Sequence, residues 1–328
     1  MRRKARILVT GGAGFIGSHA CKELSLHGFE PVAYDNMSTG NMEAVRWGPL
    51  IKGDVLDQQL LKDTIRHCRP VAVMHFAASA YVGESVRDPA KYYRNNVSGM
   101  ISLLDAVKAA GTPPVIFSSS CATYGTVGTL PIRESFPQEP VNPYGRTKLI
   151  GEQLLRDHGA AYGQRYGILR YFNACGADPD GDIGEWHTPE THIIPLALRA
   201  AAQTGPAFQL FGTDYDTPDG TCIRDYIHVT DLARAHVLAL QHLLDGGEDL
   251  AVNLGSGRGH SVRDILDSIQ RSTGKAVPHE AQGRRAGDPP ALFADASAAR
   301  KLLGFSARYS DLDTIITTAA PFFGARAA

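Results

Sequence analysis

Cysteine is scarce and poorly spaced for pairing. Cys21, Cys68, Cys121, Cys175 and Cys222 are odd in number, and no two form C-x-x-C. That excludes a disulfide framework and a cysteine zinc site, and it fits a reducing compartment. The twelve histidines include no H-E-x-x-H, so no metal is expected. Neither sign of charge is in excess, with 33 basic and 34 acidic residues and a net charge of -1. A nucleic-acid or anionic-membrane partner would leave a basic excess, so neither is expected. No apolar run approaches the ~20 residues that span a bilayer. The apolar stretch at 7–9 is too short for a signal-peptide core, which places the chain in the cytoplasm.

What is present suits a globular enzyme. A chain of 328 residues with 43% hydrophobic and 20% charged residues is long enough for two domains. Short apolar runs at 7–10, 32–34, 71–76, 115–118 and 168–171 read as strands buried on both faces. Amphipathic stretches at 14–26, 57–67, 89–110 and 143–162 read as the helices between them. Alternating strands and helices predict an α/β fold with a doubly wound parallel sheet. The rhythm breaks near Ala174, and 175–190 is a Gly, Asp and Pro-rich loop. Beyond it, helices at 191–204 and 231–244, strands at 208–211 and 224–229, and a strand–turn–helix over 251–272 suggest a smaller α/β unit. The expected division is 1–174 and 175–328, with a soft boundary that lets elements return to the first domain.

The first strand runs into Gly11-Gly12-Ala13-Gly14-Phe15-Ile16-Gly17. Gly12, Gly14 and Gly17 fit G-x-G-x-x-G, and Gly11, Gly14 and Gly17 fit the G-x-x-G-x-x-G spacing. Glycines here permit a tight turn and let the backbone approach a pyrophosphate, which the following helix N-terminus attracts. A plain strand-to-helix turn would also use glycine. The second strand, however, ends on Asp35, where a carboxylate suits ribose hydroxyls and repels the 2′-phosphate of NADP. The combination points to NAD.

Tyr144 and Lys148 form Y-x-x-x-K within the 143–162 helix, which puts both on one face. A free tyrosine is phenolate in only about one molecule in a thousand at pH 7. A nearby ammonium, and the positive nicotinamide of NAD, favour the phenolate and would make Tyr144 a working base. Upstream, Ser118, Ser119 and Ser120 end a strand whose C-terminus faces the cofactor crevice, where a hydroxyl can pass a substrate proton. An i,i+4 pair or a strand-end serine is commonplace alone. The ordered set of glycine turn, acidic ribose ligand, strand-end serine and Y-x-x-x-K is not.

On several stretches the chain resembles the UDP-glucose 4-epimerases of the extended short-chain dehydrogenase/reductase family. They are Thr10-Gly-Gly-Ala-Gly-Phe-Ile-Gly-Ser-His19, His75-Phe-Ala77, Val82-Gly-Glu-Ser-Val86, Phe117-Ser-Ser-Ser-Cys-Ala-Thr-Tyr-Gly125, Asn142-Pro-Tyr-Gly-Arg-Thr-Lys148, Arg170-Tyr-Phe-Asn173 and Arg224-Asp-Tyr-Ile-His-Val229. The resemblance runs from about Arg6 to Ser310. It implies a base role for Tyr144, a partner and nicotinamide-ribose role for Lys148, and a hydroxyl relay for Ser120. It also implies an NAD cleft formed by Gly11, Gly14, Phe15, Ile16, Gly17, Asp35, Asn36, Asp54, Val55, Phe76, Ala77, Asn95 and Phe172. The UDP-sugar would meet Asn173, His192, Phe211, Arg224, Arg285, Asp288 and Leu292, and arginine forks suit its pyrophosphate. A homodimer is implied as well.

Three positions depart from the familiar members. Ala80 replaces a lysine near the nicotinamide ribose, Leu292 a tyrosine beside the hexose, and His192 a common asparagine. The last two leave the sugar open among UDP-glucose/UDP-galactose, UDP-N-acetylhexosamines and the pentoses UDP-xylose and UDP-arabinose. A 4,6-dehydratase would need an Asp-Glu pair after the strand-end hydroxyl, where this chain has Cys121 and Ala122. A net reductase would consume cofactor. A non-catalytic NAD sensor would have no need of Ser120, Tyr144 and Lys148 together.

Overall fold

A computed structural model describes residues 4–285 and 288–325. The chain opens with β1 (Arg6–Thr10), α1 (Phe15–Leu26), β2 (Glu30–Asp35), β3 (Leu50–Lys52), α2 (Gln58–Cys68) and β4 (Ala72–His75). Then come α3 (Val82–Arg87), α4 (Pro89–Tyr92), α5 (Gly99–Ala109), β5 (Val115–Ser120), α6 (Pro143–Tyr162), β6 (Tyr166–Tyr171) and β7 (Asn173–Cys175). The remainder is α7 (Ile193–Ala201), β8 (Phe208–Phe211), β9 (Ile223–His228), α8 (Val229–Leu244), β10 (Leu250–Leu254), β11 (Gly259–Ser261), α9 (Val262–Thr273), β12 (His279–Gln282), β13 (Ala291–Leu292), α10 (Ser297–Leu303) and α11 (Leu312–Ala319).

Seven strands form one sheet in the order β10-β6-β5-β4-β1-β2-β3, and every neighbouring pair is parallel. This is the doubly wound architecture the alternating pattern predicts. On one face α1 and α8 bury Ala20, Leu24, Ala233, Val237 and Leu240 against Ile7, Val9 and Met74. On the other, Leu61, Ile65, Met100, Leu103 and Leu155 pack against Leu8, Val32, Val73 and Phe117. Strands apolar on both sides read as unbroken runs for this reason. Two elements from beyond residue 175 join this layer: β10 extends the sheet beside β6, and α8 packs on α1. A separate apolar cluster gathers Leu198, Leu210, Ile265, Ile269, Ile315 and Ile316.

Strand order reverses between β1 and β4, the switch point at which crevices open beyond the carboxyl ends of such sheets. Thr10, Asp35, His75 and Ser120 end their strands on that edge. Helix α6 starts there with conventional signals. Asn142 caps it by accepting from Gly145 N at 2.9 Å, Pro143 occupies its first turn, and Gly163 closes it at φ 68°.

Two expected helices differ in detail. The 89–110 stretch is not uninterrupted, because a π-helical segment over Tyr93–Ser98 joins α4 to α5. A π segment re-aims side chains, and here Asn96 reaches the α6 side, where its Nδ2 donates to Thr147 Oγ1 at 2.9 Å. The 191–204 helix begins only at Ile193, because Glu190 Oε1 accepts the N–H groups of Thr191 and His192 at 2.7 and 2.9 Å. Among the described residues no helix is long and apolar enough to cross a membrane.

Candidate active site

The glycine turn is closed to side chains. Gly11 lies at φ +75°, and a Cβ there would meet Ala77 N at 2.6 Å. A Cβ on Gly17 would meet the Gly11 carbonyl oxygen at 2.1 Å. The turn therefore folds tightly under α1, whose first N–H groups, from Phe15, Ile16 and Gly17, have no carbonyl one turn back. No acidic residue sits in that first turn, so the positive helix end is left for an anion. Asp35, nearly buried, closes the far side. Its Oδ2 accepts from Ala13 N at 3.0 Å and its Oδ1 from Met37 N at 2.8 Å, and each oxygen keeps a lone pair for a ribose hydroxyl.

The rest of the expected dinucleotide set lines the same edge. Asn36 Nδ2 donates to Asp54 Oδ2 at 2.9 Å, and Asp54 takes the Leu56 N–H and, through its carbonyl, the Tyr34 hydroxyl. Val55 is buried, and a Cβ on Gly99 would strike it. Phe76 and Ala77 both donate their N–H groups to the Thr10 carbonyl, which brings β4's exit against the glycine turn. Asn95 Nδ2 donates to Asn96 Oδ1 at 3.0 Å, and Asn96 also clasps the backbone of Ser79. Phe172 is buried beside Tyr124, Ile132 and Ala294. The fit to a dinucleotide is thus a cradle that any side chain would fill, a free helix end and a carboxylate at the end of the neighbouring strand.

Ser120, Tyr144 and Lys148 are brought together beyond β5. Lys148 is buried and donates to the Ser118 carbonyl at 2.7 Å, with its Nζ 5.1 Å from the centre of the Phe117 ring and 5.9 Å from that of Tyr144. Burial pulls its ammonium down to about 7, although Glu152 opposes the shift. Burial also drives the Tyr144 phenol well above its ordinary value, while a hydrogen bond with Ser120 pulls the other way. This corrects the expectation that the neighbouring ammonium would favour the phenolate. In the protein alone desolvation dominates both groups, and the cationic ring of a bound nicotinamide would have to supply the missing favourable charge.

Sequence reasoning missed what holds this helix down. Glu152, fully buried one turn beyond Lys148, accepts from Ser119 Oγ at 2.6 Å, from Arg170 Nε at 2.9 Å and from Gln138 Nε2 at 3.1 Å. Arg170 continues to the Tyr124 hydroxyl at 2.8 Å, which donates to Asn253 Oδ1 at 2.7 Å. Burial would raise the Glu152 carboxyl, but hydrogen bonding and charge from Arg170 hold it below the usual range. The Tyr-Lys helix is thereby tied to β5, β6 and β10. The i,i+4 spacing of Lys148 and Glu152 was the available signal.

The expected substrate residues fall in two places. Arg224 on β9 donates to Asp288 and, at 2.8 Å, to the Pro289 carbonyl. Arg285 lies 4.0 Å from the centre of the Phe211 ring, and Leu292 is Arg224's register partner. Asn173 Nδ2 reaches the Asp225 carbonyl at 2.8 Å, so this group converges around β9. His192 instead stands at the N-cap position of α7, makes no side-chain capping bond there and pairs with Glu185.

Residues 7–255 match the model of the NAD dependent epimerase/dehydratase family, and the chain belongs to that family. It is 53% identical over 95% of both chains to a UDP-glucose 4-epimerase of Rhizobium meliloti. Among solved structures it resembles a UDP-glucose 4-epimerase from Brucella ovis in complex with NAD, at 63% identity, a TM-score of 0.96 and 98% coverage of each chain. It also resembles a UDP-glucose 4-epimerase from Stenotrophomonas maltophila with bound NAD and formylated UDP-arabinopyranose, at 40% identity, a TM-score of 0.94 and 97% coverage of each.

Proposed function

We propose that this chain is an NAD-dependent isomerase that inverts C4 of a UDP-sugar, with UDP-glucose and UDP-galactose as its principal pair. The juxtaposition of Ser120, Tyr144 and Lys148 beyond a closed glycine cradle carries the reading, and the relatives' activity supports it. When bound, NAD supplies a reversible hydride acceptor, so none is consumed over a full cycle. Tyr144 takes the C4 hydroxyl proton and later returns it. Ser120 holds the same oxygen and relays the proton. Lys148, anchored on Ser118, orients the nicotinamide ribose beside the phenol. Gly11, Gly14, Phe15, Ile16 and Gly17 hold the pyrophosphate, and Asp35 and Asn36 the adenosine ribose. Asp54, Val55, Phe76, Ala77, Asn95 and Phe172 line the remaining cofactor cleft. Arg224 and Arg285 bind the UDP phosphates, with Phe211, Asn173, Asp288 and Leu292 around nucleoside and sugar, whereas His192, expected among them, is engaged with Glu185 at the start of α7. The 4-keto sugar must turn over within this pocket to present its other face.

The five cysteines are all free, which supports a cytoplasmic setting. Val82, Val86, Tyr93 and Ile101 are exposed on α3, α5 and the segment between, which supports a homodimer through that face.

The test is direct. Purified protein is denatured and its supernatant assayed for dinucleotide, and intact protein is given UDP-galactose and followed by NMR. The expectation is released NAD and C4 inversion without added cofactor. Activity that requires stoichiometric NADH would overturn the reading.

A further inference from the structure

The loop that leads into α7 reads Glu185-Trp-His187-Thr-Pro-Glu190-Thr-His192, two Glu-x-His pairs five residues apart. No H-E-x-x-H or C-x-x-C announces a metal site here, and none is expected from the sequence. The fold nonetheless brings all four side chains to one point, with a ligand atom from each within 4.8 Å of the others. His187 Nδ1 lies 3.0 Å from Glu185 Oε1 and 3.8 Å from Glu190 Oε2, and His192 Nδ1 meets the same Glu185 oxygen.

The carboxylates are the reason to look further. Their side chains are 2% and 1% exposed. Glu190 Oε1 is used by the Thr191 and His192 N–H groups, but its Oε2 is buried, aimed at the histidines and without a hydrogen-bond partner. Among the described residues no lysine or arginine nitrogen comes within salt-bridge distance of either group. Two buried carboxylates whose salt-bridge partners, among the described residues, are imidazoles alone are costly. A nearby cluster shows the ordinary solution: Asp178, Asp180 and Asp182 surround Lys22 Nζ at 2.7, 2.7 and 2.9 Å. The Glu-His cluster has no such ammonium.

We propose that Glu185, His187, Glu190 and His192 bind one divalent transition-metal ion of the zinc class. Two imidazoles and two carboxylates suit four-coordinate zinc, whose ligands stand about 2.0–2.2 Å from the metal. A ligand set that is half nitrogen disfavours magnesium and calcium. The ion staples the loop over 185–192 to the start of α7. His187 packs edge-on to Phe15 at 6.0 Å and to Tyr81 at 6.3 Å, and the Tyr81 hydroxyl donates to the Pro189 carbonyl at 3.3 Å. The staple therefore also fixes this loop against the N-terminus of α1.

Untagged full-length protein is dialysed against a chelator and titrated with Zn²⁺ against a chromophoric zinc chelator, with elemental analysis for stoichiometry. The expected result is one equivalent, not displaced by an equal concentration of Mg²⁺. Glu190→Gln keeps an oxygen for the Thr191 and His192 N–H groups and removes the charge, and His187→Ala removes a ring. Each weakens zinc binding at least tenfold. At equal zinc concentration the melting temperature of wild type rises more than that of Glu190→Gln. No bound zinc, or the same affinity and melting shift in wild type and Glu190→Gln, overturns the proposal. These readouts involve no turnover, so they stand or fall apart from the epimerase reading.

Discussion

Arg170 on β6 and Glu152 on α6 meet at 2.6 Å with side chains 3% and 0% exposed, one helical turn from Lys148. A buried pair of this kind is weak evidence of net stability, but removal of one partner strands a charge and costs about 3–5 kcal/mol. Glu152→Gln is expected to fall in that range by denaturant unfolding, and Glu152→Gln with Arg170→Met to recover part of the loss. Glu152 is a positioning residue, so the variant should lower kcat more than it raises KM and shift the pH profile of kcat. A stable Glu152→Gln protein with an unchanged pH profile would detach the pair from the site.

Tyr144→Phe removes the phenol and keeps the ring on the same buried face of α6. Because the group is assigned as general base, kcat should fall at least ~10²-fold, with UDP-sugar affinity and bound NAD retained. Turnover near the wild-type rate would place the base elsewhere.

Much of this arrangement was legible beforehand. The five sheet strands buried on both faces announced themselves as apolar runs, and α6 agrees with its expected span because Asn142, Pro143 and Gly163 mark both ends. Elements without such marks were not legible. β7, β12 and β13 are two to four residues long, and β12 is exposed throughout, so neither length nor period reports them. The π segment at Tyr93–Ser98 is set by tertiary bonds of Asn96 that local propensity does not encode. For the proposed site, chain order singled out Ser120, Tyr144 and Lys148 as candidates. Glu152 and Arg170 are 18 residues apart and meet only through the β6 crossing, and the Glu185–His192 cluster depends on a loop fold with no periodic signature.

Four buried histidines set the response to acid. Burial pulls His19 and His236 down to about 4 and His75 and His228 down to about 3, against an ordinary value near 6.5. Their folded values are depressed, so below pH 6.5 the unfolded chain binds more protons and stability falls with pH toward 4. His236 packs 4.7 Å from Phe76, and its Nε2 has no partner. His236→Phe should flatten the loss of unfolding free energy between pH 7 and 5, measured by urea titration. An unaltered slope would mean that His236 takes up its proton while folded.

On the proposed assignment of Leu292 to the sugar pocket, this residue is expected to set the pocket's width. It is the register partner of Arg224 and packs, partly buried, against the cluster of Tyr124, Ile132, Phe172 and Ala294, as Cys121 next to Ser120 also does. At such a wall a leucine gives less volume than a tyrosine and no hydroxyl. The turning keto-sugar needs clearance on both faces, and the space left by leucine accommodates a 2-acetamido group. An apolar wall also gives a C6 hydroxyl nothing to bond, so a pentose loses little. Discrimination by one small group in such a pocket is worth only ~1–3 kcal/mol, which predicts measurable C4 epimerisation of more than one UDP-sugar. In Leu292→Tyr the added ring should exclude the acetamido group. The ratio of kcat/KM for UDP-galactose to that for UDP-N-acetylgalactosamine should rise roughly tenfold or more, within the range that such an energy allows. Should the ratio stay as in wild type, Leu292 serves the apolar cluster behind the pocket and the width is set by other residues.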